Sequence, residues 1–131
     1  FYYKTNRELT EHFACTGSMF ICIESFLRQK PTPLKVEAIE PSVVYGIPYH
    51  PLEELSKEYY EIGLLYRKML EASLILSQRK ADSIRFESAR ERYERLLKNN
   101  PEIIRRAPLS QIASLLEMTP ETLSRVRAGT L

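Results

Sequence analysis

A proline-free run from Tyr59 to Phe86 carries Ile62, Leu65, Met69, Ala72 and Leu76 at alternating spacings of three and four. Residues so spaced share one helix face. Leu64, Leu70, Leu74, Ile75 and Ala81 widen the apolar surface. A helix of about 25 residues extends about 38 Å, longer than a small domain needs for its own core. Its face is expected to cover the preceding residues on one side and a twin helix on the other. Burial within a single chain is the competing expectation. The length favours a homodimer whose seam is Ile62, Leu65, Met69, Ala72 and Leu76.

The residues before this run have a different texture. Pro31, Pro33, Pro41, Pro48 and Pro51 punctuate them and argue against long helices. Phe1 to Lys4 and Leu9 to Cys15 read as strands around T-N-R; K-V-E-A-I (35–39) and S-V-V-Y-G-I (42–47) read as two more. A short helix is predicted near Ile23 to Arg28, and another over P-L-E-E-L-S-K-E-Y-Y from Pro51. After the long run a helix is predicted from Glu87 to Lys98, stopped by N-N-P, then a turn of helix in P-E-I-I-R-R and a final helical pair after Pro108.

Composition narrows the partners. Of 131 residues, 44% are hydrophobic and 27% charged, a balance typical of soluble folded domains. Nothing approaches the roughly 20 apolar residues of a membrane span, and no signal peptide pattern is present, so no membrane partner is expected and the cytoplasm is the expected compartment. The chain opens F-Y-Y, without an initiator methionine and inside an apparent strand, as a piece of a longer protein would. A net charge of +2 does not call for nucleic acid, yet allows a dimer making a few phosphate contacts per subunit. Cys15 and Cys22 form no disulfide framework, and His12, Cys15 and His50 complete no metal set. No cofactor and no metal are expected.

The last pair is L-S-Q-I-A-S-L-L-E-M-T-P-E-T-L-S-R-V-R, Leu109 to Arg127. Ile112, Leu116, Met118, Leu123 and Val126 are apolar, and Ala113 is small where two helices would cross closely, as a helix-turn-helix requires. Thr119 suits an N-cap and Pro120 a first helical turn. The second helix of such a motif lies in the major groove with its N-terminal residues toward base edges. That directs Thr119, Glu121, Thr122, Ser124 and Arg125 at DNA: Glu121 to accept from a cytosine amine, Arg125 to donate in pairs to guanine, a threonine to meet phosphate. Glu117 stands at the turn position where glycine often relieves a left-handed backbone, at a cost of roughly 1–2 kcal/mol if that conformation is adopted.

The stretch R-A-P-L-S-Q-I-A-S-L-L-E-M-T-P-E-T-L-S-R-V-R resembles the DNA-reading segment of the CRP/FNR superfamily of transcription regulators, many of which carry I-A-x-x-L-G-[hydrophobic]-[S/T]-x-E-T-[hydrophobic]-S-R there. The resemblance extends over nearly the whole chain. It implies an α+β fold: the C-terminal part of a cyclic-nucleotide-binding-like sensory β-roll over 1–52, a short helix and long dimerisation helix over 53–86, and a helix-turn-helix domain over 87–131. It places Glu121 and Arg125 on base-reading positions, Thr119 and Thr122 on phosphate-contacting ones, and Pro120 where cyclic-AMP-responsive members often use another arginine. The family usually continues into a β-hairpin wing; this sequence stops at Leu131, so the wing is expected to be absent.

The implied effector pocket departs further. Cyclic-nucleotide binders carry G-E-x-x-G-E and then an arginine; here G-S-M-F-I-C puts Ser18 and Cys22 in that segment, with Cys22 at the ribose-binding glutamate, and Thr32 falls at the phosphate-binding arginine. A buried phosphate without its cation is poorly compensated, so cyclic AMP is not expected. The iron–sulfur members need four cysteines, and two are seen. The expected protein is thus a homodimeric, sequence-specific transcription regulator on an inverted-repeat site. Double-stranded DNA and a second copy are its partners, RNA polymerase a candidate third, and its effector unidentified or none. A dimeric interaction scaffold that has lost DNA binding is the competing expectation, favoured by Glu117, the low net charge and the missing wing. No nucleophile–base pair or phosphate loop points to an enzyme.

Overall fold

The computed structural model describes residues 2–4 and 7–130. In chain order they form β1 (Tyr2–Lys4), β2 (Arg7–Leu9), α1 (Ile23–Arg28), α2 (Tyr49–Glu58), α3 (Tyr60–Phe86), α4 (Ala89–Asn99), α5 (Pro101–Arg106), α6 (Leu109–Leu115) and α7 (Pro120–Arg127). The architecture is predominantly helical, and this overturns the expected α+β class with its partial β-roll. Among the described residues the paired strands are the three-residue β1 and β2, antiparallel with Tyr2 opposite Leu9 and Lys4 opposite Arg7. Thr5 and Asn6 of the predicted turn lie outside the described residues.

The reason lies in what an alternating sequence can and cannot establish. The stretches 35–39 and 42–47 have strand periodicity, but a strand also needs a neighbour for its N–H and C=O groups. No such ladder forms over 35–47 among the described residues, and Val36, Val43 and Tyr45 stand 75%, 81% and 89% exposed. The strand predicted from Leu9 to Cys15 takes another course beyond Leu9. There the Thr10 amide donates to Ser114 Oγ (2.8 Å) on α6, Lys80 of α3 donates to the Glu11 carbonyl (3.0 Å), and Phe13 packs on the C-terminal core. The stretch is tied to helices rather than to a sheet.

The helices follow from local chemistry. Ser88 and Glu91 form a capping box at the start of α4: Ser88 Oγ accepts from the Glu91 amide, and Glu91 Oε2 accepts from the Ser88 amide at 2.7 Å. Pro101 opens α5, with Glu102 in its first turn and Arg105 and Arg106 in its last, each where the helix dipole favours it. The 27 residues of α3 span about 40 Å. Helix α2 lies against α3 at Gly63, where a Cβ would meet the Ser56 carbonyl oxygen at 2.9 Å. An edge-to-face cluster of Phe26, Tyr49 and Tyr66 joins α1 to both.

The core sits at the C-terminal end. Leu96 of α4, Ile103 of α5, Ile112, Ala113 and Leu116 of α6 and its end, and Leu123 of α7 form one buried cluster, flanked by Tyr93, Ile104, Ala107, Leu115 and Met118. Helix α3 contributes little to it: its one fully buried residue is Ser83, near its end.

Candidate nucleic-acid interface

Helices α6 and α7 are joined by Leu116 to Thr119, and the turn closes in a specific way. The Glu117 amide donates to the Ser114 carbonyl (3.1 Å) and the Met118 amide to the Ala113 carbonyl (3.0 Å), with Glu117 at φ 51°. This is the left-handed helix end in which two otherwise unpaired carbonyls are satisfied. Helix α7 ends the same way, with Gly129 at φ 71° and its amide, followed by that of Thr130, returning to Val126 and Arg125. Glycine takes the strained position in the second case and glutamate in the first, as anticipated for Glu117.

The close crossing falls where the sequence places its small residue. Ala113 has no exposed surface, Ile112 1% and Leu123 none, so α7 seats directly on α6. Thr119 caps α7: its Oγ1 accepts from the Thr122 amide (3.2 Å) and lies 3.1 Å from Thr122 Oγ1. Leu123 and Val126 take the buried side of α7. Thr119, Glu121, Ser124 and Arg125 are therefore left exposed on the other, with Thr122 half-buried at the edge. Of the five residues predicted to face DNA, Glu121, Ser124 and Arg125 form the outward face, and Thr119 and Thr122 form the cap at its start.

Arg125 belongs with Arg79, Arg85, Arg92 and Arg127, which make no salt bridge among the described residues. Arg28, Arg67, Arg90, Arg95, Arg105 and Arg106 each pair with a glutamate. Among the described residues, Arg125 and Arg127 have no carboxylate at salt-bridge distance. The Glu121 carboxyl is held below its usual range by its own backbone amide at the helix start, then by the Thr119 hydroxyl and by the charge of Arg125. Glu121 thus offers an acceptor at one end of the face, with the Arg125 guanidinium one turn along.

Arg92 is a residue that sequence reasoning missed. Its Nε donates to the Leu116 carbonyl (2.8 Å) and its Nη1 to the Glu87 carbonyl (2.7 Å), so one α4 side chain touches both the turn and the end of α3. In A-R-E-R-Y-E-R it is indistinguishable from Arg90 and Arg95 by spacing or charge.

The predicted dimer seam is half open. Ile62 and Met69 are half-buried and Ala72 is exposed, while Leu65 and Leu76 are each 52% exposed. The predicted effector residues do not converge on one cavity. Cys22 Sγ meets Thr32 Oγ1 at 3.3 Å, but Ser18 closes a separate exposed turn, its Oγ donating to the Cys15 carbonyl. A small cleft beside Thr32 is lined by Glu24, Ser25, Arg28, Lys30 and the flanking prolines, with neither Cys22 nor Ser18 in its wall. Both cysteines are free thiols. No helix among the described residues is long and apolar enough to cross a membrane.

No protein-family model matches the sequence, and neither a curated protein nor a solved structure matches the chain.

Proposed function

We propose that this chain is a sequence-specific DNA-binding regulator of the CRP/FNR type that acts as a homodimer on an inverted repeat. The observation that carries the reading is the outward face of α7. Arg125, with no salt bridge among the described residues, and Glu121 one turn before it stand on a helix whose opposite side, Leu123 and Val126, is buried. A guanidinium with no carboxylate at salt-bridge distance among the described residues can donate in pairs to guanine O6 and N7, and a carboxylate is the acceptor suited to a cytosine amine. The capped start of α7 also presents amides and threonine hydroxyls of the kind that meet a phosphate.

A second copy of the chain is the partner that suits α3. Ile62, Leu65, Met69, Ala72 and Leu76 keep a strict three–four alternation, the period of a two-stranded seam. The stretch spans about 21 Å and stops before Ser83, the α3 residue that the Arg95 side chain of α4 reaches. Two such chains would present twin α7 helices to successive major grooves, roughly 34 Å apart. A dimeric scaffold would use the same seam without reading bases.

Arg125→Ala separates the two. In an anisotropy titration against a duplex selected by the wild-type protein, the substitution is expected to cost about 1–3 kcal/mol per half-site and to relax base preference at one position. Equal binding by the variant and the wild type, at two salt concentrations, would leave the scaffold.

A further inference from the structure

Three loose ends meet at one point of the fold. Helix α3 ends at Phe86, with Glu87 as its C-cap; α4 leaves at Ala89; and α6 ends at Leu115, with Leu116 as its C-cap, before the left-handed Glu117 turns the chain toward α7. Carbonyls in the last turn of a helix have no intrahelical donor, and both Glu87 O and Leu116 O lie at such ends. Arg92 serves both, and its charge suits the negative end of each helix dipole. The guanidinium is planar and its donors have fixed directions, so holding two carbonyls with Nε and Nη1 fixes those carbonyls relative to each other.

The corner itself has a separate clasp. Ser83 Oγ donates to Glu87 Oε2 (2.6 Å), Arg95 Nε donates to the same oxygen (3.1 Å), and Arg95 Nη2 reaches Ser83 Oγ. That clasp ties α3 to α4 and leaves α6 and α7 untouched. Arg92 alone among these side chains also reaches the turn that aims α7.

We propose that Arg92 is a positioning residue that sets the inclination of the α6–α7 pair on the long helix, and thereby selects the distance between the two half-sites the dimer accepts. The inference rests on the DNA-binding reading above and adds to it the determinant of operator geometry. A small angle suffices. Helix α4 is about 16 Å long, and a tilt of about 12° at its start moves its far end by about 3.4 Å, one base-pair step. A chain free to tilt by that amount would accept neighbouring spacings; a chain held at both carbonyls would not.

The test uses the dimer as it stands and two copies of its selected half-site, with the centre-to-centre distance varied one base pair at a time. The wild type is expected to prefer one spacing over the next by at least tenfold. Arg92→Lys, which keeps the charge but loses the planar fork, is expected to compress that preference to less than threefold while binding a single half-site within threefold of wild type. Retained tenfold discrimination would overturn the proposal, as would a half-site affinity that falls as far as the full-site affinity, since that is what general loss of structure does.

A second arm needs no DNA. Spin labels at Lys68→Cys and Ala128→Cys, in a Cys15→Ser, Cys22→Ser background diluted with unlabelled chain, report the distance from α3 to the end of α7. Arg92→Lys is expected to widen that distribution at least twofold, and an unchanged width overturns the proposal. A wild-type chain that selects no duplex removes the DNA reading and the spacing claim with it; the distance arm then tests only whether Arg92 holds the α6–α7 pair, and an unchanged width overturns that as well.

Discussion

Glu117 holds a backbone conformation that favours glycine, at φ 51°, in the turn that aims α7. Its side chain is exposed and no hydrogen bond to that side chain compensates the strain among the described residues. The left-handed conformation costs a residue with a Cβ roughly 1–2 kcal/mol, and part of that relief is offset because glycine loses more freedom on folding. Glu117→Gly is therefore expected to stabilise the protein by about 0.5–1 kcal/mol, raising Tm by roughly 2–5 °C in a thermal melt. A lower Tm would show that the glutamate contributes something the geometry does not reveal. This position was legible in the sequence because the turn lies between two periodic apolar segments and a cap at Thr119. Arg92 was not legible. Its importance comes from two carbonyls that chain folding brings together from residues 87 and 116, and no local pattern encodes such a meeting.

The corner between α3 and α4 depends on a carboxylate. The Ser83 hydroxyl holds the Glu87 carboxyl below its ordinary value of 4.5, desolvation works against it, and the Arg95 hydrogen bond and charge lower it further. A group whose folded pKa is depressed stabilises the fold fully above its unfolded value, and that contribution disappears as pH falls through the folded value. Tm is thus expected to drop as pH is lowered from about 5 to about 3, with a shallower drop in Glu87→Gln. Parallel slopes would remove Glu87 from the account. At the other end of α3, Gly63→Ala sets a helix-propensity gain of about 1 kcal/mol against an overpacking cost of about 1–3 kcal/mol, because the added Cβ would stand 2.9 Å from the Ser56 carbonyl. Faster amide exchange confined to α2 is the expected result; unchanged exchange there would mean that α2 shifts without cost. Helices were readable at this scale because their period and caps are local: α1 falls on Ile23–Arg28, and α3 within a residue of the predicted start. Strands were not. K-V-E-A-I and S-V-V-Y-G-I alternate correctly, but alternation does not say whether a partner strand exists.

For the molecule as a whole, the question is what a 40 Å helix with one buried residue is for. Placing glutamates at Leu65 and Leu76 puts like charges opposite one another in a two-fold seam, and Leu65→Glu with Leu76→Glu is expected to convert a dimer to a monomer in sedimentation velocity. A wild-type monomer would remove the seam. The helix-turn-helix geometry follows from apolar spacing and one alanine, whereas the proposed reading of DNA depends on what the exposed face of α7 meets. The most direct measurement of the central claim is selection by the protein from a pool of random duplexes. Enrichment of an inverted repeat with half-sites about one helical turn apart, lost with Arg125→Ala, is the predicted result. A pool that stays random, with wild type and Arg125→Ala binding it equally weakly, would contradict the account.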